Sequence, residues 1–67
     1  MSRNELMLQV KAMIKRGLES DVDFINDMVA HIMRVYEINK KIDLRKFTND
    51  DLYTILFSLD DIISLGA

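Results

Sequence analysis

The sequence has no cysteine, no proline and no tryptophan, and it holds two glycines and one histidine. Without cysteine no disulfide can staple the chain, which excludes a disulfide-rich secreted scaffold. A single histidine cannot complete a structural zinc site. Without proline, and with glycine only at 17 and 66, little interrupts a helix, which favours helices with short connections. No apolar run approaches the roughly 20 residues of a membrane span. Gln9, Lys11 and Lys15 break up the early apolar residues, so no signal peptide is expected. These absences point to a cytoplasmic protein with no membrane partner. No excess of one charge sign exists either: eleven acids against nine bases leave a net charge of −2. That balance argues against a general nucleic-acid coat protein.

What remains is a chain of 67 residues, 49% hydrophobic and 30% charged. Such a composition is globular, and residues 1–67 have room for one domain. At this size burial and ordering entropy nearly cancel, and no covalent staple tips the balance. The expected architecture is therefore all-α: a small three-helix bundle, a helical hairpin plus a third helix, completed by homodimerisation.

The periodicity predicts helices over about 4–16, 21–38 and 49–64. Leu6, Met7, Val10, Met13 and Ile14 share an arc of about 120°, a normal core stripe. Gly17 reads as a left-handed cap, with Leu18 folding back on Met13. Leu8 points to the charged side. Ser20-Asp21-Val22-Asp23 has capping-box spacing. From Val22 to Ile38 apolar residues cover over half the circumference, a stripe that needs covering from two directions and marks this as the central helix. Asn39 reads as its left-handed exit. A basic loop, 40–47, follows. Thr48-Asn49-Asp50-Asp51 is the clearest local signal, a capping box with Phe47 and Leu52 spaced as a hydrophobic staple. Leu52, Ile55, Leu56, Leu59, Ile62 and Ile63 form the inner face of the third helix, which Gly66 ends.

The third helix has a second face. Tyr53 and Phe57 stand one turn apart, flanked by Asp50, Asp60 and Asp61, and adjacent exposed rings mark contact surfaces. This is the candidate partner-binding site, an acidic docking helix with aromatic anchors. Its bland reading is packing on the 40–47 loop or on a second copy. Lys40, Lys41, Arg45 and Lys46 form a candidate anion-binding loop, whose bland reading is a solvated loop that offsets the acidic helix. Leu8 and Met33 are the candidate self-interface. Helix-turn-helix recognition fits poorly, because the connection is long and a third helix with four aspartates and no cation would be repelled by phosphate. His31 lies at the edge of the apolar arc, with only Asp27 near it in its own helix, so it reads as a packed or rim residue. Asp21/Asp23 and Asp60/Asp61 lack the glycine turn and closing glutamate of a calcium loop, so no metal site is expected. Met7, Met13, Met28 and Met33 read as core filling. No phosphate loop, catalytic triad or cysteine nucleophile exists, so neither an enzyme nor a cofactor is expected.

The pattern Leu6-x3-Val10-x3-Ile14-x2-Gly17, followed by a polar cap and a second apolar helix, is similar to bacterial AriR-type biofilm and acid-response regulators. The similarity covers residues 5 to 36 and implies a helical hairpin acting as a dimeric connector in signalling. The 40–47 loop and the acidic third helix have no counterpart in it. The expected function is a small non-enzymatic regulatory or inhibitory adaptor, a role common among tiny cytosolic or phage-encoded helical proteins. It would bind another protein through the third helix. The alternatives are a structural homo-oligomer, or a binder of nucleic acid or an anionic nucleotide through the basic loop.

Overall fold

Three α-helices and no strand make up residues 1–66, which are the residues described in a computed structural model of the chain. They are α1 (Arg3–Leu18), α2 (Asp23–Val35) and α3 (Asn49–Leu65). α1 and α2 form an antiparallel hairpin, and α3 returns parallel to α1, with Arg3 bonded to Asn49 at one end and Arg16 beside Ile63 at the other, to make the most extensive pairing of the bundle. The exposed surface is 4599 Å², close to the roughly 4,400 Å² that scaling gives a folded monomer of this mass. Leu6, Val10, Ile14, Val29, Leu52, Ile55 and Leu59 are fully buried within the one chain.

Each helix start has a local cause. The Ser2 hydroxyl accepts from the Glu5 N–H and caps α1. At α3 the expected capping box forms: Thr48 Oγ1 accepts from the Asp51 N–H at 3.1 Å, and Asp51 accepts in return from the Thr48 N–H. Phe47 and Leu52 of the expected staple are both buried. α2 differs from expectation. Ser20 does not cap it; the helix starts at Asp23 behind Val22, which makes no side-chain cap bond. Ser20 Oγ instead accepts from the Val22 N–H, closing a local turn that competes with the capping box. Asn26 ties the hairpin by donating to the carbonyls of Gly17 and Ser20.

Neither glycine adopts a left-handed conformation. α1 runs through Gly17 to Leu18, which stays partly exposed. Gly17 is needed because Val29 of α2 occupies the space a Cβ would fill. Gly66 ends α3 in a right-handed conformation, with Ile25 in its Cβ space. The left-handed exit from α2 falls on Glu37 (φ 56°), two residues before Asn39. There the Ile38 N–H reaches the Met33 carbonyl and the Glu37 N–H reaches that of Arg34, a Schellman motif built without glycine.

The core draws Leu6, Val10 and Ile14 from α1, Ile25, Val29 and Ile32 from α2, and Leu52, Ile55, Leu59 and Ile62 from α3. The connection 36–48 adds Ile38, Ile42, Leu44 and Phe47, as many as α3. This explains why α2 is not the doubly covered central helix that its wide apolar arc implies. The connection supplies the fourth wall of the core, so one flank of α2 stays open, with Phe24, Met28 and Val35 exposed. Arg3 closes the far end. Its guanidinium donates to Asn49 Oδ1 at 2.8 Å and to the carbonyls of Arg45 and Phe47.

Two predictions follow from the backbone. Gly17→Ala adds about 1 kcal/mol of helix propensity in an open helix, but overpacking against the fully buried Val29 costs about 1–3 kcal/mol. Urea denaturation should show net destabilisation, and pairing the change with Val29→Ala should cost less than the sum of the two. A Gly17→Ala protein as stable as the parent would remove the close-approach explanation. Glu37→Gly should stabilise by about 0.5–1 kcal/mol, a few degrees in Tm, because only the left-handed strain is removed. The Lys46 ammonium bonds the main-chain carbonyl of residue 37, so that contact survives the change.

Candidate docking site

Helical spacing places Asp50, Tyr53, Phe57, Asp60 and Asp61 within an arc of about 100° on α3. The two rings stack, with centroids 6.2 Å apart and planes at 27°. They are not equally free. Tyr53 is half-buried against the core, whereas Phe57 is 64% exposed. Asp50, Asp60 and Asp61 are all exposed. α3 carries four aspartates and no cation. Asp50 and Asp51 sit at the positive end of the helix, where they are favourable, while Asp60 and Asp61 lie toward the negative end with nothing on α3 to offset them.

Phe57 also forms the lip of a groove between α3 and α1. Leu56, Phe57 and Asp60 make one wall, and Gln9, Ala12 and Met13 the other, around about 310 Å³. The α1 wall was not legible as part of a site. Met13 reads as core, and Ala12 is only a short side chain on an exposed face, yet that shortness opens the groove beside Phe57. Arg3 was missed as well, because its place outside the core stripe gives no hint of its three distant acceptors.

The basic loop divides differently. Arg45 forms a salt bridge with Asp43 at 2.7 Å, and Lys46 donates to the Glu37 carbonyl and lies 5.2 Å above the Phe47 ring. Lys40 and Lys41 are exposed. Lys41 and Arg45 share a groove with Lys11, Leu8 and Asp43, so an acid already stands among these cations. The loop thus does not present four free cations in one place. Of the other candidates, Leu8 is 66% exposed on the rim of that groove, Met33 is half-buried against the core, and His31 is exposed. Among the described residues no group of three or more His, Asp or Glu side chains is placed to hold a metal ion, and no helix is long and apolar enough to cross a membrane.

Comparison with known proteins adds nothing to this geometry: no family model, no curated protein and no solved structure matches the chain. The AriR-like pattern gains no support, and Gly17, the residue that ends it, serves here as a contact point with α2.

The Asp43 carboxyl is held well below the usual carboxylate range, first by the side-chain hydrogen bond from Arg45 and then by the Arg45 backbone N–H. A carboxyl depressed in the folded state stabilises fully above its unfolded value of about 3.9, and that contribution fades as pH falls toward the folded value. An NMR titration should find Asp43 ionised well below pH 4, and Arg45→Ala should return its midpoint toward about 4. A midpoint unchanged by Arg45→Ala would remove the pairing as the cause.

Proposed function

We propose that this protein is a small non-enzymatic adaptor, regulatory or inhibitory in role, that binds a basic amphipathic segment of another protein in the groove between α1 and α3. The observation that carries this reading is Phe57: an exposed aromatic ring, braced by Tyr53, at the lip of an apolar groove and beside unpaired carboxylates. An exposed ring beside a concave apolar surface is the common form of a binding hot spot. The charge selects the partner. With Asp60 lining the groove, Asp50 and Asp61 on the same face of α3 as Phe57, and no cation on α3, an acidic segment is repelled and a basic one is steered in.

The test uses labelled synthetic helical peptides of equal hydrophobicity, one basic and one acidic, read by fluorescence polarisation. Binding of the basic peptide should weaken with salt, and Phe57→Ala should reduce it at least tenfold, about 1.4 kcal/mol, with the helical circular dichroism intact. Phe57 is the better target than Tyr53, which also packs on the core. No binding of the basic peptide at ~50 mM salt, or binding indifferent to Phe57→Ala, would overturn the proposal.

A further inference from the structure

The open flank of α2 has an order of its own. Phe24, Met28, His31 and Val35 are all exposed, with Phe24 45%, Met28 44% and Val35 60% accessible. Their spacings of four, three and four residues are those of alternating d and a positions in a heptad, and they fall within an arc of about 60°. Three large apolar side chains in register on a short helix form a seam, in contrast to the isolated exposed residues normal on a surface. The seam runs about 16 Å at 1.5 Å per residue, nearly the whole of α2.

The charges beside the seam choose its occupant. On one flank the corresponding positions are Ile25 and Ile32, both buried in the chain's own core. On the other flank they are Asp27 and Arg34, both exposed. In a parallel pair each of these would face a residue of the buried flank, so neither would find a partner. In an antiparallel pair like flanks face each other, and Asp27 of one copy meets Arg34 of the other, twice by symmetry. The same register sets Phe24 opposite Val35 and Met28 opposite His31, with the two-fold axis through the middle of the helix.

We propose that α2 is a homodimerisation surface, on which a second copy of this chain packs its own α2 antiparallel through Phe24, Met28, His31 and Val35, with paired Asp27–Arg34 contacts across the interface. This goes beyond the adaptor reading and uses a different face. The closed monomer core and the short seam make the dimer a concentration-dependent one, at the small end of specific interfaces. His31 is the one polar side chain in the seam and limits its affinity.

Sedimentation equilibrium of the full chain, from about 5 µM to 1 mM, tests this across the weak-affinity range. The expected result is a reversible monomer–dimer equilibrium. Met28→Glu or Val35→Glu, both at exposed positions that leave the core intact, should reduce association at least tenfold. His31→Leu should strengthen it several-fold. Asp27→Arg alone and Arg34→Asp alone should each weaken it by placing like charges opposite each other, and the double swap should restore it. That restoration is specific to the antiparallel register. Phe57→Ala should leave self-association unchanged, so the fate of this proposal is separable from that of the α1–α3 groove. A protein monomeric at 1 mM, a dimer that survives Met28→Glu, or a double swap no better than its single variants would overturn the proposal.

Discussion

Burial of the α2–α3 connection is the constraint on which the rest of the bundle depends. Ile38, Ile42, Leu44 and Phe47 belong to the core although none lies in a regular helix. Reaching it forces two non-glycine residues, Glu37 and Ile42, to φ 56°. For a β-branched residue this is a rare conformation, with a cost of about 1–2 kcal/mol. Burying an isoleucine side chain contributes about 1.5–3 kcal/mol, so burial outweighs the strain at Ile42. Tyr36 meets Phe47 edge-on at 6.1 Å, which pins the two ends of the segment together. Thr48 then emerges where it can cap α3, and the Arg45 and Phe47 carbonyls face the Arg3 guanidinium.

That arrangement also sorts the charges. The connection engages two of its four cations internally, Arg45 on Asp43 and Lys46 on a main-chain carbonyl and a ring, while Lys40 and Lys41 stay exposed. The acids of α3 have no such partners within their helix. A sequence with nearly balanced charge therefore folds into a surface where α3 presents acids with no cation beside them in the helix, while half of the basic cluster of the connection is already engaged. Net charge alone does not carry that information. What decides it is which side chains the turn geometry has already engaged.

Legibility in the sequence followed the range of the interactions. The three helices, the α3 capping box and the inner stripes of α1 and α3 depend on spacings of three and four residues, and all could be read directly. Tyr53 and Phe57 could be placed on one face of α3 for the same reason. Their unequal exposure could not, because it depends on packing from outside the helix. Gly17 and Asn39 both look like helix ends, since glycine and asparagine tolerate left-handed backbone best. The fold instead needs Gly17 for its lack of a Cβ and places the left-handed turn at Glu37. The wide apolar arc of α2 was misread because periodicity counts apolar residues without regard to what will cover them. Once the connection took part of the core, an arc sized for two neighbours was left partly uncovered.

The parallel return of α3 onto α1 sets where the largest closure entropy of the bundle falls. The α1–α2 hairpin closes across a few residues, whereas the Arg3–Asn49 bond joins positions 46 apart in the chain. Contacts with that separation bear the larger loop-closure entropy. Docking of α3 therefore carries the largest closure entropy of the bundle, which the most extensive helix pairing in it offsets. The groove beside Phe57, with one wall from each helix, exists only when that closure is made. A ligand spanning α1 and α3 would accordingly act as a clasp between the most widely separated segments of the chain.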